Sequence, residues 1–258
     1  MTAAGTLRGR RVIVTRAAEH AAELAAPLEA RGAVALVAPA IRLEPAPHEE
    51  LDRATGRLAD GDFDWLVVTS QAGVEALFGR VGFAPSRVRA SVAAVGEGTA
   101  RALRDLGMEP DLVPTTFTTE ALGRAMPSGS GRVLLARADI APEGLEDELR
   151  AKGWWPERVD AYRTVLSDSL PPEVRTELEA GRPDAVTFTS ASTVRGFLRM
   201  AGPPSLRVPV VVCIGPVTAA EAEGAGLRVA GVAEPHTIDG LVSALERVVG
   251  PAEPKEIS

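Results

Sequence analysis

The same series of motifs is written twice along the 258 residues, and this repetition limits the possible folds more than any other feature. Val12-Ile-Val-Thr-Arg16 matches Val133-Leu-Leu-Ala-Arg137, and Thr69-Ser70 matches Thr189-Ser190. Gly96-Glu-Gly-Thr-Ala100 matches Gly215-Pro-Val-Thr-Ala219, and Thr118-Thr-Glu-Ala-Leu122 matches Thr237-Ile-Asp-Gly-Leu241. Four matches in one order, each about 120 residues apart, identify an internal duplication. A unit of about 120 residues is large enough to bury its own core.

Each copy alternates short Val- and Leu-rich runs with helical patterns that end at glycine. Val12–Arg16 precedes an Ala/Leu/Glu helix stopping at Gly32, Leu66–Ser70 precedes Val74-Glu-Ala-Leu-Phe78, and Val92–Val95 leads into a helix ending at Gly107. Strands apolar on both faces and separated by helices belong to parallel α/β sheets. Pairing Gly32 with Gly153 sets Ala40-Ile-Arg-Leu-Glu against Ala161-Tyr-Arg-Thr-Val, so the single tyrosine, Tyr162, replaces Ile41. Both segments are extended in character and lie near prolines, Pro39, Pro45, Pro171 and Pro172, which makes residues 40–45 and 161–167 the linker candidates. If both cross between domains, one domain comprises residues 1–39 plus 168–258 and the other 46–160. The repeat alone equally allows two contiguous halves meeting near Gly129-Ser-Gly131.

Composition removes several function classes. The net charge is −7 with no block of Lys or Arg, which argues against general binding of nucleic acid or of an anionic membrane. Any anionic ligand must be held by local geometry. Cys213 is the single cysteine and sits in the apolar run Val210–Ile214, so it reads as a buried inert thiol. His20, His48 and His236 show no metal-ligand spacing, and no metal is expected. No stretch approaches 18 uninterrupted apolar residues and no leader follows the basic start, so a cytoplasmic protein, monomeric by default, is expected.

In parallel α/β sheets, ligands bind beyond the carboxyl ends of strands, where helix N-termini point their free N–H groups. Arg16, Thr69, Ser70, Thr99, Arg137, Thr189, Ser190, Ser192 and Thr218 fall at such positions. Helix capping accounts for any one of the hydroxyls. Together they suit a ligand carrying several carboxylates or phosphates, with Arg16 and Arg137 either serving it or lying on a solvated rim. Gly96-Glu-Gly-Thr-Ala-Arg101 begins like a dinucleotide fingerprint but carries Arg where the third Gly belongs, and no Walker sequence or Gly-x-Ser-x-Gly elbow is present. Trp154-Trp155 reads as packing, His236 as a surface residue before the cap Thr237, and Asp139-Ile-Ala-Pro-Glu-Gly as a polar turn before a helix. Tyr162 either ties its hydroxyl to a backbone carbonyl or reaches a cleft at a domain crossing. A phenol with pKa about 10 is a protonated donor at neutral pH, suited to helping a hydroxyl group leave.

Val12–Arg16, Val67–Val74, Val95–Ala100, Ala161-Tyr-Arg163, Thr187–Ser190, Ile214–Ala219 and His236–Leu241, taken in order from about residue 9 to 249, resemble the uroporphyrinogen-III synthase family. The resemblance implies two similar flavodoxin-like α/β domains joined by two extended linkers, with the first strand and helix grouped with the C-terminal third. It implies cyclisation of hydroxymethylbilane to uroporphyrinogen III, with the last pyrrole ring inverted through a spiro intermediate, and no metal or organic cofactor. It also makes the enzyme that produces hydroxymethylbilane a candidate partner. By the same resemblance Tyr162 assists loss of the hydroxyl, while Ser70, Thr99 and Thr218 line the cleft; either Ser190 or Ser192 fits the remaining position. The alternative from another class is a noncatalytic two-domain sensor that closes on a small anionic metabolite.

Overall fold

The structure is a computed structural model and describes residues 5–79, 83–202 and 210–250. The side chain of His48 and the Pro/Glu/Lys tail lie outside the described residues. The chain runs through β1 (Arg11–Val14), α1 (Ala18–Glu29), β2 (Val34–Val37) and β3 (Ile41–Pro45). It continues with α2 (His48–Asp60), β4 (Trp65–Val68), α3 (Gln71–Phe78), β5 (Ser91–Ala94), α4 (Glu97–Asp105) and α5 (Thr119–Ala125). Next come β6 (Arg132–Ala138), α6 (Gly144–Ala151) and the long β7 (Trp155–Leu166). The last third holds α7 (Pro172–Glu179), β8 (Ala185–Phe188), α8 (Ala191–Ala201), β9 (Val210–Cys213), α9 (Pro216–Gly224), β10 (Val229–Val232) and α10 (Ile238–Val249).

These elements form two compact units. Unit 1 comprises Met1–Arg42 with Val165–Ser258, and unit 2 comprises Leu43–Thr164. The sheet of unit 1 has the order β2-β1-β8-β9-β10 with every pair parallel. Numbered along the unit this is 2-1-3-4-5, a doubly wound order that reverses between its first and third strands. The second sheet reads β3-β7-β6-β4-β5, with β7, β6, β4 and β5 parallel. Through the repeat β6 corresponds to β1, β7 to β2, β4 to β8 and β5 to β9. The order is therefore the same, with the chain entering at a different strand. A parallel bridge from Leu112 to Ala93 stands where β10 stands in unit 1.

Four-residue strands hold these sheets because both faces are covered. On β1, Val12 and Val14 pack with α1 and α10 while Ile13 packs with α7 and α8 on the other side, and all three are fully buried. On β4, Leu66 and Val68 face α2 and α3 while Val67 faces α5 and α6. Each such side chain contributes about 1.5 to 3 kcal/mol of burial. Gly153 ends the turn after α6 at φ +91°, and a Cβ there would lie 2.4 Å from Gly129 O.

Residues 40–45 and 161–167 lie in and around β3 and the carboxyl half of β7, and β3 is hydrogen-bonded to β7 at the sheet edge. Within β7 the register against β6 slips: Arg137 pairs with Asp160, but Ala138 pairs with Tyr162. One residue, Ala161, is skipped. Such a bulge re-aims the side chain that follows it.

Candidate active site

In unit 2 the strand order reverses between β6 and β4, whose following helices α6 and α3 lie on opposite faces of the sheet. The crevice at such a reversal is where doubly wound folds bind ligands. Ser70 follows β4 and caps α3, its Oγ accepting from the Gly73 N–H at 3.0 Å. The β7 bulge turns Tyr162 onto the same face as Val159 and Ala161, where it packs against the core under α3. Its hydroxyl donates to Ser70 Oγ at 3.0 Å. A serine hydroxyl has two acceptor lone pairs and one O–H. Both lone pairs are used, so the O–H of Ser70 is the donor this pair can offer outward. Burial raises the Tyr162 phenol above its ordinary value; the Ser70 bond draws it back, Asp139 pushes it up and Arg137 pulls it down.

Asp139 N–H donates to Tyr162 O at 3.1 Å, and Asp139 Oδ1 accepts from the Thr164 N–H at 2.9 Å. Arg158 on β7 donates to Ala138 O, Asp139 O and Ala141 O, each at 2.8 Å, and to Asp160 Oδ1 at 3.1 Å. The sequence leaves Arg137 either to serve an anionic ligand or to lie on a solvated rim, and the structure places it at no solvated rim. It is 1% exposed, donating to Glu146 Oε2 at 2.6 Å and to Pro142 O at 2.9 Å. The reason is Glu146, itself 3% exposed on the first turn of α6, which needs a cation to be buried at all. Arg137 is thus committed to the interior and is not available as a carboxylate-binding group.

Unit 1 carries related residues at its own strand reversal, between β1 and β8. Arg16 follows β1 and pairs with Glu23 at 2.8 Å, its side chain 15% exposed and that of Glu23 40%. Burial lowers its pKa and Glu23 opposes this, but a guanidinium stays charged throughout. Ser190 caps α8 in a reciprocal capping box with Thr193, and Ser190 Oγ lies 2.9 Å from Ser192 Oγ. The two serines between which the sequence leaves a choice therefore form one hydrogen-bonded pair.

Thr99 and Thr218 are both buried in the first turns of α4 and α9. Their caps, Gly96 and Gly215, supply no side-chain hydrogen bond, so those leading N–H groups are left for another acceptor. Gly96 is required by Phe117, whose ring would lie 2.9 Å from an added Cβ. The matching residue in unit 1 is His236, set beside Gly215, with Nδ1 donating to Ala233 O at 2.7 Å. The surface position read for His236 overlooked this; pairing it with Phe117 through the repeat is the signal that reveals it. Among the described residues no three His, Cys, Asp or Glu side chains group as metal ligands, and no helix is long and apolar enough to cross a membrane. Cys213 is fully buried, and burial raises its thiol to about 12.

With this geometry in place, comparison with known proteins is decisive: residues 22–243 match the sequence family described as uroporphyrinogen-III synthase HemD. The chain belongs to the uroporphyrinogen-III synthase family. The uroporphyrinogen-III synthase of Synechococcus elongatus is 30% identical over 255 residues, covering 93% of this chain and 96% of that protein. The porphyrin biosynthesis protein HemD of Ruminiclostridium josui is 32% identical over 252 residues, covering 95% of this chain; the chain spans about half (49%) of that protein's length. Among solved structures, a mutant uroporphyrinogen III synthase of Thermus thermophilus has the same fold, with TM-score 0.65 and 24% identity over 93% of this chain and 98% of that one. The family match and the Synechococcus relative identify uroporphyrinogen-III synthase activity, a cyclising lyase step of tetrapyrrole biosynthesis, while the solved structure shows the fold; none supports the noncatalytic sensor.

Proposed function

We propose that the chain converts hydroxymethylbilane to uroporphyrinogen III and that Tyr162 and Ser70 act on the departing hydroxyl group. The observation that carries this reading is the 3.0 Å hydrogen bond from Tyr162 to Ser70, made where the strand order of unit 2 reverses. The substrate's own chemistry does most of the bond breaking. The pyrrole nitrogen lone pair pushes out the terminal hydroxyl as water, leaving an azafulvene carbon as electrophile, so no strong protein nucleophile is required. The protein supplies a donor to the leaving oxygen. Ser70 O–H is the free donor, and Tyr162 O–H behind it sustains the pull as negative charge grows on that oxygen. Because burial raises the phenol, Tyr162 stays protonated at neutral pH and acts as a hydrogen-bond donor rather than a tyrosinate.

The second task is steering. Attack by the substituted carbon of the last ring forms the spiro intermediate, whereas an unguided chain closes to the uninverted isomer. Holding reacting atoms in one geometry lowers a barrier by about 7 to 11 kcal/mol. The groups proposed to hold the substrate's carboxylates are Arg16, the Ser190 and Ser192 hydroxyls, and the uncapped first turns of α4 and α9 with Thr99 and Thr218. With a net charge of −7, the chain must hold such an anion through local groups of this kind rather than by overall attraction. Incubation with freshly made hydroxymethylbilane, followed by separation of the isomers, is the test. Uroporphyrinogen III is the expected product, and formation of the uninverted isomer alone refutes the proposal.

A further inference from the structure

We propose that Arg158 is a positioning residue for Tyr162, acting through the turn between β6 and α6; this rests on the catalytic reading of Tyr162. The turn begins at Ala138, and two arginines bind its carbonyl oxygens from behind. Arg158 takes those of Ala138, Asp139 and Ala141, and Arg137 takes that of Pro142. Both arginines converge on Glu146, Arg137 at 2.6 Å and Arg158 at 3.8 Å. Arg158 is further fixed by Asp160 Oδ1. A turn whose carbonyls are held by charged donors on a buried carboxylate has little freedom to shift.

The turn in its turn grips the strand on both sides of Tyr162. Asp139 N–H bonds to Tyr162 O, and Asp139 Oδ1 takes the N–H of Thr164. The bulge at Ala161 makes this grip necessary. A regular strand would keep Tyr162 on the face opposite Ala161, and at the bulge the ladder that normally fixes the backbone is interrupted. The Asp139 bonds replace the lost ladder, and Arg158 holds Asp139. The fork of a guanidinium suits this task because its donors leave in fixed directions and serve three carbonyls and a carboxylate at once, four acceptors where an ammonium has three donors.

Arg158 touches no reacting group on this reading, so its effect must pass through the phenol. In the purified 258-residue chain, Arg158→Ala is expected to lower kcat by about tenfold with KM unchanged, since small displacements of a positioned group are costly. In a Tyr162→Phe background the same change is expected to cost nothing further. Arg158→Lys should recover only part of the loss. Equal fractional losses in both backgrounds would overturn the proposal. A second readout does not depend on catalysis: the chain has one tyrosine, so tyrosine labelled with carbon-13 at ring Cζ alone gives one resonance by NMR. That resonance is expected to move in Arg158→Ala, and an unmoved one rejects the positioning role. Asp139→Ala removes the side-chain half of the grip, the bond from the Thr164 N–H, while leaving the arginines in place, and it must reproduce the same signature even if Arg158→Ala folds poorly. Unchanged turnover of Tyr162→Phe alone refutes the catalytic reading of Tyr162, and the resonance then decides the positioning role by itself.

Discussion

The two units share a strand order and differ at its reversal. After β1 the arginine is Arg16, paired with the partly exposed Glu23; near the end of β6 it is Arg137, sealed against Glu146. After β8 a serine is paired with another serine, Ser190 with Ser192; after β4 a serine is paired with a phenol, Ser70 with Tyr162. Beside the glycine cap of α9 stands His236, and beside that of α4 stands Phe117. The pattern teaches a division of labour. Arg16 in unit 1 keeps part of its side chain exposed beside a carboxylate that can turn to water, whereas Arg137 in unit 2 is enclosed and stiffens the turn whose Asp139 holds the strand that carries Tyr162.

The largest effect expected from breaking this contrast is on stability. Arg137→Met leaves the buried Glu146 with only the more distant Arg158, at 3.8 Å, and losing the close partner of a buried pair costs about 3 to 5 kcal/mol. The double change Arg137→Met with Glu146→Leu should recover much of that. Arg16→Met should cost under about 1 kcal/mol, because Glu23 can turn to water. Arg16→Met should instead raise KM. Chemical denaturation measures the first three, and equal costs for the two arginines would dissolve the distinction between the units.

Next comes the phenol. Tyr162→Phe is expected to lower kcat by about 100-fold, the lower end of what a positioned acid supplies, with the fold intact. The alkaline limb offers an independent check. Burial raises the folded-state pKa of Tyr162, so the folded chain binds this proton more tightly than the unfolded chain. Stability from this group is intact below the unfolded value of about 10 and is lost as pH rises through the folded value. Tyr162→Phe should flatten that part of the stability curve; an unchanged slope above pH about 10 would mean that the phenol is as hydrated as in the unfolded chain.

Local chemistry made much of this legible. The apolar runs became the strands of two parallel sheets, and Ser70, Ser190 and Thr237 cap the helices that follow them. The repeat exposed the correspondence of Arg16 with Arg137 and of Thr99 with Thr218. What stayed hidden depends on partners far away in sequence. Simple alternation puts Tyr162 on the face opposite Ala161, and only the bulge, fixed by pairing with β6, brings it to Ser70, 92 positions away. Glu146 in Gly-Leu-Glu-Asp-Glu-Leu looks like one more surface carboxylate. Its burial follows from how α6 packs on the sheet, and with it goes the fate of Arg137.

The smallest effects separate capping from chemistry. Ser70 and Ser190 each accept an N–H of the first turn, so replacing either by Ala should cost about 1 kcal/mol of stability. Their effects on turnover should diverge. Ser70→Ala also removes the acceptor of the Tyr162 hydroxyl and the donor that faces outward, so kcat should fall. Ser190→Ala leaves Ser192 in place and removes only a contact proposed to hold a carboxylate, so KM should rise with kcat little changed. Ser70→Gly keeps most of the cap, since glycine costs only a few tenths of a kcal/mol there. If Ser70→Gly retains full kcat, the hydroxyl pair of unit 2 is a capping arrangement alone and the two units no longer differ in what their serines do.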